Sequence, residues 1–274
     1  MRTHRLLVVA MLALVAGCGA EEQPSPEPSI DSSFRVGDVK TFALPLDAYR
    51  LDGRQQQEFT EARLRLVKQC MEKLGYAYPL PPSIPGFLGP NEKRFGLADP
   101  KRAATVGYHD PEEDERSRRL AVEQTMTEEQ EVTLNGPDGG AGCNEEVARR
   151  LGGWGLSDLV ESLSHKAYAQ GMADSRVSKA TEGWRECLKA AGHDYPDPLE
   201  IAGDPRFTTE AATGLEIEVA TIDVTCKTNV NYVNTRAAVE TAYQQREVEA
   251  NRAALDEVRT QNEKILAEVA KVNS

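Results

Sequence analysis

Two ten-residue stretches constrain this chain more than any other feature: CMEKLGYAYP from Cys70 to Pro79, and CLKAAGHDYP from Cys187 to Pro196. Both read Cys, four residues, Gly, two residues, Tyr, Pro. The run leading into each is amphipathic at helical spacing, with Phe59, Leu66, Val67, Cys70, Met71 and Leu74 in the first, and Val177, Ala180, Trp184, Cys187, Leu188 and Ala191 in the second. Gly75 and Gly192 stand where a helix needs a residue with positive φ to end, and Pro79 and Pro196 prevent its resumption. The phrase therefore predicts a helix C-terminus, C-capped at Gly75 and at Gly192, with its Cys one turn inside the end. Tyr78 or Tyr195 would fold back over the cap. A metal reading would pair Cys187 with His193, but the first copy has Tyr76 at the matching position, so no metal is expected there.

The beginning of the chain sets the compartment. MRTHRLLVVAMLALVAGC places Arg2 and Arg5 ahead of an apolar run that ends in small residues, the pattern of a secretion signal too short to span a membrane as a mature helix. Its end, Val15-Ala16-Gly17-Cys18, resembles the bacterial lipobox. The expectation is a signal peptide over 1–17 and a lipidated Cys18, holding the mature chain on the extracytoplasmic face of the cell membrane. Residues 18–46, including GAEEQPSPEPSIDSS, read as a disordered tether with almost nothing to bury. Loss of Arg2 and Arg5 with the signal takes the formal charge from −12 to −14, which argues against nucleic acid as a partner.

Once Cys18 is lipidated, Cys70, Cys143, Cys187 and Cys226 remain, an even number in an oxidising compartment. Four cysteines allow three pairings, and sequence alone does not choose among them. The duplicated layout favours Cys70 with Cys143 and Cys187 with Cys226, each half closing its own loop. In the chain-entropy model such loops contribute on the order of 4 kcal/mol each.

Helical signals dominate the rest, so the expected fold is mostly α: a disulfide-stapled helical domain with a first half over 47–155, a second over 156–274, and a long C-terminal helix. Thr127 with Gln130, and Thr213 with Glu216, read as capping boxes, Ser157 as a helix cap, and Gly152-Gly153 as a stop. HDPEEDERSRRLAVEQ reads as an exposed helix with an acidic start. The Pro-rich stretch between Tyr76 and Pro100 is either a partner-docking loop presenting Tyr78, Phe87 and Phe95, or a loop that packs Phe87, Leu88 and Phe95 over the core. The last forty residues carry a heptad seam of Val248, Asn251, Leu255, Val258, Asn262, Ile265, Val269 and Val272. That helix either pairs with a partner or a second copy of the chain, or lies antiparallel against its predecessors.

Chemistry is harder to find. His109, His165 and His193 lack metal-hydrolase spacing, no nucleophile elbow or phosphate loop is present, and Ser164 and His165 are sequence neighbours whose side chains point apart on a helix. With 44 Asp and Glu, a carboxylate pair carries no signal by itself. Neither catalytic residues nor a cofactor are assigned.

The order of features resembles the uncharacterised surface lipoproteins of actinomycetes: a lipobox, LPLDAY from Leu44 to Tyr49, C-x4-G-Y-x-Y-P, G-G-x-G-C at Cys143, W-x-x-C ahead of the second phrase, and an acidic helix into Cys226. The resemblance implies the address and the fold and brings no activity. The resulting expectation is a lipid-anchored binding or accessory protein that meets an envelope protein or cell-wall component. An envelope hydrolase and a purely structural protein are the alternatives.

Overall fold

The computed structural model describes residues 26–80, 89–111, 126–137 and 139–273. Among these the chain is helical with no strand, and six of the helices begin where a polar side chain accepts from an amide hydrogen exposed at the first turn. Helix α1 (Gly53–Lys73) is capped by Asp52, which forms a reciprocal box with Gln55. Short α2 (Pro100–Val106) is capped by Asp99. Then come α3 (Glu128–Asn135), with the Thr127–Gln130 box, and α4 (Cys143–Leu151), stopped by Gly152. Ser157 caps α5 (Asp158–Ala173), and Asp174 caps α6 (Ser175–Ala190). The chain ends with α7 (Gly214–Asn229), α8 (Tyr232–Ala250) and α9 (Arg252–Asn273).

Both phrases terminate their helices through the same hydrogen bonds. Gly75 N donates to Glu72 O and Tyr76 N to Met71 O; Gly192 N donates to Lys189 O and His193 N to Leu188 O. With φ of +89° at Gly75 and +90° at Gly192, these are two Schellman motifs. The cysteines pair as Cys70–Cys143, 73 residues apart, and Cys187–Cys226, 39 apart.

Burial divides the interior into neighbouring clusters. One gathers Phe59, Leu66, Val67 and Met71 of α1 with Val147 and Leu151 of α4 and with Ile265 and Val269 of α9. A second places Leu46 and Tyr49, from the 3₁₀ turn Pro45–Tyr49, against Val160, Leu163, Val248 and Leu255. A third packs Trp184 and Leu188 of α6 with Val219 and Cys226 of α7 and with Ile201 and Phe207. Because α9 fills the core built by α1 and α4, a boundary between 155 and 156 cuts through shared packing.

The C-terminal seam is real, but it does not run along one helix. Asn251 separates α8 from α9; its side-chain amide donates to Glu247 O and its carbonyl accepts from Leu255 N. Val248 and Leu255 serve the second cluster and Ile265 and Val269 the first, while Val258 and Val272 pack at their edges. Asn262 donates to Tyr49 O at 2.9 Å. The seam is thus the face that α9 turns toward its own fold, and Leu255 and Ile265, at 0% and 3% exposure, present nothing to a partner.

Three further expectations need correction or placement. Residues 26–46 are not a free tether: they lie across α6 and α8 and then fold into the 3₁₀ turn. Phe95 is fully buried, its ring beside Phe42, so it belongs to the core; Tyr78 is half-buried against the first cluster. Phe87, Cys18, the signal segment and most of HDPEEDERSRRLAVEQ lie outside the described residues.

Candidate binding cleft

Helix α7 carries three buried charged residues, Glu216, Asp223 and Lys227. Asp223 and Lys227 sit one turn apart, both inaccessible to solvent, with Lys227 Nζ donating to Asp223 Oδ2 at 2.9 Å and to Leu97 O at 3.0 Å. Trp184 Nε1 donates to Asp223 Oδ1 at 2.8 Å and the Tyr108 hydroxyl to Oδ2 at 3.2 Å. Burial pushes the Asp223 carboxyl up and the Lys227 ammonium down; each charge, with the donors around Asp223, opposes that push. Burial, and after it the Asp223 charge, also raises the Tyr108 hydroxyl far above its ordinary range.

Two turns before this pair, Glu216 is also fully buried. Its Oε1 accepts from the backbone N–H groups of Tyr108 and His109 and lies 2.8 Å from His109 Nδ1. His109 Nε2 faces Thr209 O at 2.7 Å. With an oxygen acceptor at each ring nitrogen, only the imidazolium donates to both. Thr213 does cap α7, but the Glu216 side chain turns inward to this contact and leaves the expected capping box half made.

On α8, Arg236 is enclosed between the rings of Tyr168, at 5.0 Å, and Phe95, at 5.8 Å, and donates to the Tyr232 hydroxyl. Arg94 donates through Nε and Nη2 to the buried Glu240 and also covers Tyr168. These cations lie over aromatic faces, an arrangement that keeps guanidinium groups in a low-dielectric interior.

Above Lys227 opens a cleft of ≈ 420 Å³. Residues 36–40 and 96–100 wall it, and Val224, Thr228, Asn231 and Asn234, on and between α7 and α8, form its floor. Asn231 adopts a left-handed conformation, φ +55°, at the α7–α8 junction, and Asn234 Oδ1 accepts from Val36 N at 2.8 Å. Lys40, Arg102 and Lys227 line it together with Asp38, Glu92 and Asp99, a mixed-sign lining that suits a small polar ligand carrying both charges or a peptide segment. Sequence reasoning singled out none of the cleft lining as a site, and it named Glu216, His109, Trp184 and Phe95 only for other roles. The available signal was the Asp223-x-x-x-Lys227 spacing beside Cys226, which looks like any exposed helical ion pair.

Of the residues expected to meet a partner, Tyr78 and Ile265 share the α1–α9 packing and Asn262 is bonded to Tyr49 O, so they lie away from the cleft lining. No three His, Cys, Asp or Glu residues among the described residues are grouped to hold a metal ion, and no described helix is long and apolar enough to cross a membrane. No protein-family model matches the chain, nor does any curated protein or solved structure.

Proposed function

We propose that this chain is a lipid-anchored, extracytoplasmic helical binding or accessory protein of the bacterial cell envelope, with the cleft above Lys227 as its ligand surface. One observation carries the reading. All four cysteines after Cys18 are joined, Cys70 to Cys143 and Cys187 to Cys226, which is how a chain in an oxidising compartment disposes of its thiols. Cys18 stands at the end of an apolar run of signal-peptide form, where diacylation would hold the protein by roughly 0.8 kcal/mol per buried CH₂.

The test is metabolic labelling with an alkynyl fatty acid in a host that processes lipoproteins, followed by mass analysis of the N-terminal peptide. Incorporation in the native chain, and its loss in Cys18→Ser, is the expected result. An unlabelled mature chain would end the anchoring reading. Binding is tested separately by screening small zwitterions and peptides against the native protein and Arg102→Ala.

A further inference from the structure

The stretch read as a tether docks on the helical body through contacts that leave little freedom where it arrives. The Glu27 carboxylate accepts from Ser175 N at 2.7 Å and Ser175 Oγ at 2.8 Å, at the first residue of α6, where unpaired amides and the helix dipole favour an anion. Arg246 donates to Pro26 O at 2.8 Å and Arg176 to Pro28 O at 2.9 Å. Ile30 enters the cluster of Ala167, Val177, Val239 and Tyr243. Beneath the strap, Asp174 holds Arg176 by hydrogen bonds from both Nε and Nη2. The strap then runs antiparallel to α8, from Arg246 back to Asn234, where Val36 N is held.

We infer that the end of the body formed by Ser175, Arg176 and Arg246 is the side turned toward the lipid surface, with the cleft facing away from it. This rests on the reading of Cys18 as the acylated residue. Cys18 and Pro26 are eight residue steps apart, a reach of at most about 26–29 Å even when fully extended. A free tether through residue 46 would reach about 90–100 Å and leave orientation open. Docking therefore holds the Arg246 end of α8 within a short distance of the bilayer. The twelve helical steps of α8 from Arg246 to Asn234 rise about 18 Å, and they carry the cleft away from the point where the chain arrives. The partner surface is the headgroup layer itself, met by a face whose arginines are already occupied by strap carbonyls and Asp174, so the acyl chains and leash geometry determine the approach.

The experiment uses full-length acylated protein reconstituted in phosphatidylcholine vesicles containing a headgroup-spin-labelled lipid. A genetically encoded fluorescent residue replaces either Gln245, exposed beside Arg246, or Lys40, exposed at the cleft rim. With about 18 Å of helix rise between the two ends, quenching at 245 should exceed that at 40 by at least about twofold. The double variant Glu27→Ala, Arg246→Ala frees the strap and should bring the ratio toward one. Equal quenching in the native chain, or a ratio unmoved by the double variant, would overturn the inference while co-flotation with vesicles left the anchor in place. Failure of the native chain to co-float, or co-flotation of Cys18→Ser, would instead remove the anchor reading on which it rests.

Discussion

At the first phrase Cys70 ties the last turn of α1 to the first residue of α4; at the second, Cys187 ties the last turn of α6 to the last turn of α7. The backbone ends both helices with the same pair of hydrogen bonds, yet the surroundings differ. Around Cys70 the packing is hydrophobic, with Met71 in one cluster with Phe59, Leu66, Val147 and Ile265. Around Cys187 the core is braced by polar groups, Trp184 on Asp223 and Lys227 beside it. Likewise Tyr78 rests on apolar neighbours, whereas the Tyr195 hydroxyl donates to Asp204 and accepts from Arg206. The difference teaches that the phrase encodes a helix end and a staple and nothing about chemistry; any chemistry resides in what the staple is fastened to.

The largest expected break in this comparison is at Asp223. Asp223→Ala strands a buried ammonium and should cost about 3–5 kcal/mol in denaturant unfolding, while Asp223→Leu with Lys227→Met should cost far less. The first region has no counterpart to this contrast among the described residues. Next, replacing each disulfide by a Ser pair should cost about 4 kcal/mol, with the 73-residue loop slightly ahead of the 39-residue one. Calorimetry under non-reducing conditions checks both, and a reversed order would show that strain or denatured-state structure outweighs loop length.

Where the regions agree, the expected effects are equal. An added Cβ meets nothing within 4 Å at Gly75 or at Gly192, so alanine there reports only the left-handed backbone, and both substitutions should cost about 1 kcal/mol. A difference much larger than the error between them would mean the two caps are not the same device. The smallest effect is in pH. Burial first, then the Asp204 hydrogen bond, raises the Tyr195 hydroxyl to about 12. Its contribution is present in full below the unfolded value of about 10 and is lost as pH rises through the folded value. Tyr195→Phe should flatten the alkaline limb of the stability curve between those limits, by less than about 1 kcal/mol because the group is partly exposed. Tyr78→Phe serves as the comparison.

Local features were legible in the sequence because their causes are local. The glycine caps, the Thr127–Gln130 box, the Ser157 cap and the stop at Gly152 each depend on a few consecutive residues, and the structure has all of them. The disulfide pairing followed from layout. What was not legible depends on distant partners. Glu216 reads as a cap until His109, 107 residues away, turns it inward. Asp223 and Lys227 read as a solvated pair until Trp184 and Leu97 cover them. The strap reads as a tether because its charge and prolines predict little burial, although Ile30, Phe34, Phe42, Leu44 and Leu46 hint at a surface that receives it. The seam over the last forty residues is legible, but its division at Asn251 depends on two clusters that the repeat alone does not distinguish.

The strap also determines how the molecule responds to mechanical load. A tug arriving from upstream of Pro26 would meet the Arg246, Ser175 and Arg176 contacts one after another, unzipping them at low force instead of shearing them together. The helices beneath, riveted by sulfur at Cys143 and Cys226, would feel no tension until that peeling was complete. The joint yields first and the interior last, so a body pulled by this end of the chain would swivel before it unravelled.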